Sequence, residues 1–275
     1  MNPKPAFRKN GHPKRAIKLS TLRHGIKFFA VLSLLLLWTP AAWAFDYSAW
    51  EALLKQHVKP TTLDGVRLNA LPYKTLKTDP AFSKVVKQFE DFSPADLKTR
   101  NEKLAFWINA YNVFAVKMVL DHYPVDSIKD AGSLFESVWK KRVGTVGGQP
   151  ITLDEIEHGI LRKMGEPRIH MAIVCASVSC PDIREEAYWP DRLEAQLAAQ
   201  SQHFLMNPGK GLRVDKERKT VYLSSIFDWF KEDFASKGGV RAFLAPYAPE
   251  RNRAALQNSD YGIAYMDYNW DLNTL

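Results

Sequence analysis

The side chains best suited to covalent chemistry are two cysteines, Cys175 and Cys180, in the stretch Arg168 to Pro181 (RIHMAIVCASVSCP). Four residues separate them, and His170 lies five residues before the first. A thiol becomes a nucleophile when it has rigid support, a nearby base or cation, and partial exposure. The run Arg168 to Cys175 is apolar and β-branched and is bounded by Pro167 and a Ser-rich loop, which predicts a buried strand as that support. Pro181 could open a helical turn and leave Cys180 at its N-terminus, where free backbone N–H groups stabilise a thiolate. Side chains alternate along a strand, so His170 and Val174 share one face and Cys175 takes the other. His170 then reaches Cys175 only if the strand bends. His158, with Arg162 one turn on, is a second candidate base.

Three chemistries stay open for this pair. An exported chain with an even cysteine count usually forms a disulfide, and four intervening residues can bring two Cα atoms to the roughly 5.5–6 Å a disulfide needs. The pair could instead supply a thiol nucleophile or a redox couple. Metal ligation would draw on two histidines and two cysteines within 23 residues, but their spacing matches no common zinc pattern, and no metal or other cofactor is expected. His57, His122 and His203 read as structural residues.

These residues need elements to position them. Asn101 to Asp121 (NEKLAFWINAYNVFAVKMVLD) has Leu104, Ile108, Tyr111, Ala115, Met118 and Val119 at helical spacing. Trp107, Phe114 and Leu120 make its other side apolar too, so the helix is central rather than peripheral. Asn109 and Asn112 share one face of it. Buried amides are costly unless hydrogen-bonded. They either clamp the backbone of a loop, or one of them orients a histidine or binds an oxyanion.

Around that helix the pattern predicts helices at Tyr47 to His57 and from Asp79-Pro80 to about Phe92, and a turn with a short extended piece at Leu63 to Leu68. Ser93 with Pro94 reads as the start of another helix. A hairpin-like loop is expected at Gly144 to Gly148, and Thr152-x-x-Glu155 is a capping box opening a helix through Met164. An amphipathic helix over Asp191 to Leu205, two strands within Leu212 to Leu223, a Ser225-capped helix to about Ser236 and a strand near Gly262 to Met266 follow. Strands and helices mix without a βαβ rhythm. The expected fold is therefore α+β, a single domain with the central apolar helix packed on a mainly antiparallel sheet, after an N-terminal signal segment.

That segment is residues 1–44. Eight basic side chains and no acid precede the apolar run Phe28 to Trp38, and Ala42-Trp43-Ala44 follows Pro40. A basic start, a short apolar middle and an A-x-A end are the parts of a secretory signal. The alternative is an uncleaved anchor, since Phe28 to Phe45 is 18 residues without a charge; Pro40 and the weakly apolar AAWA tail favour cleavage. Either way the expected location is periplasmic or secreted, with membrane contact only through this segment. The eight basic residues also account for the formal charge of +8, because the other 30 basic residues match 30 acidic ones. No basic footprint remains for nucleic acid. Residues 45–62 then read as an N-terminal helix region and 63–275 as the domain itself.

Several segments of this chain together resemble the domain-of-unknown-function 547 family. They are AFWINAYN (Ala105 to Asn112) with YPVDSI (Tyr123 to Ile128), LDEIEHGILR (Leu153 to Arg162), RIHMAIVCASVSCP, SSIFDWFKEDF (Ser224 to Phe234) and YMDYNWDLN (Tyr265 to Asn273). The resemblance covers about Leu63 to the end. It implies one domain whose motif positions are occupied by His158, His170, Cys175, Cys180, Asn109, Asn112 and Asp267. Family domains also occur joined to thiol-redox domains, which leans toward sulfur chemistry, though the family carries no established reaction. Met171 and Asn269 depart mildly from the family pattern.

Three functions follow as expectations. The first is a thiol-dependent hydrolase or acyl-transfer enzyme, with Cys175 or Cys180 as nucleophile, His170 or His158 as base and Asp267 or Asn109 as orienting group. The second is a thiol-redox protein in which Cys175 and Cys180 cycle together. The third is a non-enzymatic binding module with a structural disulfide. A small molecule or a peptide is the expected substrate.

Overall fold

The computed structural model describes residues 44–133 and 136–275. The expected signal or anchor, residues 1–44, lies outside the described residues apart from Ala44. No described helix is long and apolar enough to cross a membrane.

The described chain is one mixed α+β domain. It opens with α1 (Ser48–His57) and the hairpin β1 (Lys59–Leu63) and β2 (Val66–Ala70), joined through Asp64 and Gly65. Both turn residues have positive φ, +49° and +78°, as a tight two-residue hairpin turn requires. Next come α2 (Tyr73–Leu76) and α3 (Pro80–Asp91), the latter capped by Asp79, whose carboxylate accepts from Ala81 N–H. The helix expected from Ser93 is only a single 3₁₀ turn, Pro94–Asp96, because Ser93 makes no capping bond. The capping box forms at Thr99 and Glu102 instead, and there α4 (Arg100–His122) begins.

Helix α4 buries 17 of its 23 residues, which sets it inside the core. It does not lie on one large sheet, as expected. The strands form three small sheets: the β1–β2 hairpin, the hairpin of β3 (Arg142–Val146) and β4 (Gln149–Thr152), and a third sheet in the C-terminal half. Helix α4 packs on α3, on the 3₁₀ turn Ile128–Ala131, on β3 and on the helical turns after β4. The approach to β3 is close enough that a Cβ on Gly144 would sit 2.8 Å from a Phe114 ring carbon.

The third sheet follows α5 (Leu193–Met206). It holds β5 (Leu212–Asp215) antiparallel to β6 (Thr220–Leu223), and β7 (Gly262–Tyr265) parallel to β6. Three shorter helices connect β6 to β7: α6 (Ile226–Trp229), α7 (Gly239–Leu244) and α8 (Glu250–Gln257). The continuous helix expected to Ser236 is broken after Trp229 and resumes as 3₁₀ turns over Lys231–Lys237.

Two large apolar clusters result. One surrounds α4, and the other joins the β5–β6–β7 sheet to Phe204, Phe227, Phe234 and Leu244. The cysteine segment runs along their seam: Ile169, Ala172, Ile173, Val174 and Ala176 pack into the first cluster and Met171 into the second.

Candidate functional site

The strand expected over Arg168 to Cys175 is absent. Pro167–Met171 forms 3₁₀ turns, opened by Glu166, whose carboxylate accepts from Arg168 N–H, and continued by Ala172 and Ile173 N–H bonds to Ile169 C=O. A short apolar run does not by itself distinguish a buried strand from buried helical turns. Here α4 supplies the partner that a neighbouring strand would have been. Asn112 donates to Ala172 C=O at 3.1 Å and accepts from Val174 N–H at 2.9 Å. Asn109 does the same for the next loop, donating to Tyr188 C=O and accepting from Tyr188 N–H. Both asparagines are therefore loop clamps, and neither orients a histidine.

The loop after Cys175 is held by the chain terminus. Val178 N–H donates to Asp271 C=O, Ser179 N–H to Asn269 C=O and Asn273 N–H to Ala176 C=O. Ala176 sits at φ +58°, a conformation an alanine adopts at a cost of about 1–3 kcal/mol, sustained by these contacts. No helix starts at Pro181. Asp182 anchors that side of the loop, buried between the ammonium of Lys210 at 2.7 Å, His203 Nε2 at 2.9 Å and Asn69 N–H at 2.8 Å.

The turn brings the two sulfurs to 3.0 Å, well beyond the roughly 2.05 Å of a disulfide bond, and both cysteines are free thiols. Cys175 N–H donates to the Cys180 sulfur at 2.8 Å. The Cys175 sulfur has Ser177 Oγ at 3.2 Å and the Tyr268 hydroxyl at 3.1 Å. Burial pushes the Cys175 thiol up, but hydrogen bonds from Cys180, Ser177 and Tyr268 outweigh it and bring it down to about 7. Cys180 is buried; burial, followed by the hydrogen bond with Cys175 and then the Cys175 charge, pushes its thiol well above the usual range. Cys175 is the partly exposed member.

Both cysteines line one cleft. His170, Glu157 and Tyr111 line it as well, and Trp139, Trp229, Phe230, Tyr268 and Trp270 form an aromatic wall. His170 is 2% exposed and stacks on Phe230 at 4.0 Å. Its Nε2 meets Asp233 at 2.7 Å, and Arg162 grips the same carboxylate with bonds of 2.7 and 2.8 Å. Those bonds hold Asp233 far below the usual carboxylate range despite its partial burial. His170 itself is lowered, chiefly by burial, against the opposing pull of Asp233.

Glu157 sits on the stretch Glu155–Leu161, wound as a π-helix after the capping box that Thr152 and Glu155 form. Such windings cluster at functional sites. This one turns Glu157 inward, 5% exposed, and leaves His158 on the outside. Burial raises Glu157 to about 7, opposed by the Tyr111 hydroxyl at 3.2 Å and reinforced by Cys175.

The expected site residues thus divide. Cys175, Cys180 and His170 meet in one cleft, although among the described residues no histidine nitrogen is hydrogen-bonded to either sulfur. His158 does not line the cleft; its Nδ1 pairs with Arg162 at 2.9 Å and its Nε2 lies 3.8 Å from Asp154. Asp267 is exposed and bonds to no histidine, so the carboxylate on His170 is Asp233. His57, His122 and His203 bond Asp79, Met118 C=O and Asp182. Among the described residues no group of three or more His, Cys, Asp or Glu side chains could hold a metal ion.

Sequence reasoning passes over Glu157, Asp233 and Tyr268. Asp233 and Tyr268 lie inside the segments SSIFDWFKEDF and YMDYNWDLN, which mark the neighbourhood but not the residue. Glu157 likewise lies inside the segment LDEIEHGILR, which marks the neighbourhood but does not single it out from Glu155 and His158.

No curated protein and no solved structure matches the chain. Residues 94–205 match the family model described as "Protein of unknown function, DUF547". That span holds Asn109, Asn112, Glu157, His170 and both cysteines; Asp233 and Tyr268 fall outside it. Across α4 and the cysteine loop, the parts that build the floor of the cleft, the chain has a family-level resemblance to DUF547.

Proposed function

We propose that this protein carries out thiol–disulfide exchange, with Cys175 as the attacking thiolate and Cys180 as the resolving thiol. The observation that supports this reading is the pair itself: one partly exposed sulfur with a depressed pKa, surrounded by hydrogen-bond donors, 3.0 Å from a second free sulfur. A base is not needed to make such a thiolate, since the donors do so. Cys175–S⁻ attacks one sulfur of a substrate disulfide, forms a mixed disulfide and releases the other sulfur as a thiolate. Cys180 then gives up its proton and attacks the Cys175 sulfur, releasing the second substrate thiol and leaving a Cys175–Cys180 disulfide. With residues 1–44 read as an export signal, this chemistry takes place outside the cytoplasm.

A second reading, acyl transfer or hydrolysis with Cys175 as nucleophile, is favoured by one observation. Glu157, raised to about 7, and His170 with Asp233 behind it line the same cleft. A group poised near neutrality suits general acid–base work.

Treating the reduced protein with bis(2-hydroxyethyl) disulfide separates the readings. Exchange predicts that the native protein ends with Cys175 and Cys180 joined. Cys180→Ser should stall as a mixed disulfide on Cys175, and Cys175→Ser should leave Cys180 unmodified. A mixed disulfide that persists on the native protein, together with ester hydrolysis undiminished in Cys180→Ser, would replace exchange by acyl transfer.

A further inference from the structure

Two buried acceptors face one another across the polar end of the cleft. His170 Nε2 is 2.7 Å from the ionised Asp233 carboxylate, so this nitrogen carries the ring hydrogen and donates it. His170 Nδ1 is then a bare lone pair. Its side chain is 1% exposed, and this nitrogen has no hydrogen-bond partner among the described residues. Glu157 Oε1 lies 3.9 Å from it. That is too long for a hydrogen bond. One Glu157 oxygen accepts from the Tyr111 hydroxyl, and Oε1 takes no bond from the described residues.

With Glu157 in its ionised form, two acceptors at this separation are satisfied together by one group carrying at least two hydrogen-bond donors. Asp233, the other carboxylate here, is committed to Arg162 and His170, and the hydrogen bonds of Arg162 go to Asp233 and His158. The surroundings favour a cation among such donors. The rest of the cleft is aromatic, and the negative faces of aromatic rings attract ammonium groups. One ring of that wall already has an ammonium beside it, with Lys129 Nζ 4.9 Å from the Trp270 centroid. The Cys175 thiolate adds further negative potential.

We propose that Glu157 and His170 Nδ1, against this aromatic wall, form an ammonium subsite beside Cys175, so that the substrate is an aminothiol disulfide with a primary amine a few bonds from its sulfur. This rests on the thiol–disulfide reading of Cys175. The step is the exchange already described: Cys175–S⁻ displaces one aminothiolate from the disulfide and keeps the other as a mixed disulfide, with the retained amine bound between Glu157 and His170.

The test uses the full chain carrying Cys180→Ser, in which exchange stops at the mixed disulfide. Three probes differ only in the end group: cystamine, bis(2-hydroxyethyl) disulfide and 3,3′-dithiodipropionate. Each rate of Cys175 modification is divided by that probe's rate with 2-mercaptoethanol, which removes its intrinsic reactivity. The normalised rate for cystamine should exceed that for the hydroxyethyl probe by roughly tenfold or more, the scale of one hydrogen bond to a charged group, and the dipropionate should be slowest. Adding Glu157→Gln should bring the cystamine-to-hydroxyethyl ratio toward one, and this ratio cancels any change in the thiol itself. Without that second substitution, n-butylammonium should slow the cystamine reaction while n-butanol at equal concentration does not. Equal normalised rates for cystamine and the hydroxyethyl probe would overturn the subsite and leave exchange standing. No reaction at Cys175 with any of the three would overturn both.

Discussion

At the scale of single residues the site is a balance between burial and hydrogen bonding. Burial alone would keep both thiols protonated; the donors around Cys175 reverse this for one of them. For Glu157 the Tyr111 hydrogen bond does not outweigh burial, and its carboxyl stays raised to about 7. The sign of its effect on stability is definite. A carboxyl raised in the folded state favours folding fully below its unfolded value of 4.5 and loses that contribution as pH rises through about 7. Relative to Glu157→Gln, the native protein should therefore lose roughly 3 kcal/mol of stability between pH 4.5 and 7 and then level off. Urea unfolding of both proteins across that range checks this; parallel curves would mean Glu157 is not raised. The cysteines were legible in the sequence because thiols are rare and reactive. Glu157 was not, because it is one of three acids within Asp154 to Glu157, and only the π winding selects it.

At the scale of elements, the segment that carries the site has no sheet to complete its backbone hydrogen bonds. Asn112 completes them, reaching from α4 to both Ala172 and Val174. Asn112→Leu keeps the bulk but leaves a buried carbonyl and a buried N–H without partners. At about 1–3 kcal/mol each, the loss should be roughly 2–6 kcal/mol in urea unfolding, with faster hydrogen exchange at Val174. A loss below about 0.5 kcal/mol would show that the clamp holds nothing. Most helices were legible, and so were the hairpins β3–β4 and β5–β6, because Asp79, Thr152 and the paired glycines Gly147 and Gly148 are local signals; β1 was not, and only the Asp64-Gly65 turn and the extended piece after it were read there. The strand expected through Ile169 and Val174 was not found, since whether a short β-branched run pairs with a strand or sits under a helix is decided by distant residues, here Asn112. The Ser93 start failed for a similar reason, as Thr99 and Glu102 make the competing cap.

At the scale of the molecule, the site occupies the seam between two apolar clusters and is closed by the C-terminal segment, which brings Tyr268 to Cys175 from 93 residues away in sequence. Contacts of that range leave no periodic trace, so Tyr268 and Asp233 were visible only as members of recurring segments. The same arrangement would shape the proposed redox couple: Cys175 is partly exposed at an aromatic cleft and Cys180 is buried at its edge. A pair built this way should cycle rather than lock. The direct test is to equilibrate the native protein in glutathione buffers of graded ratio and to quantify the Cys175–Cys180 linkage by mass spectrometry. One reversible two-electron transition is expected, with a potential between roughly −270 and −120 mV, the span of exchange-active pairs. A linkage that never forms, or one that stays oxidised below about −300 mV as structural disulfides do, would contradict it.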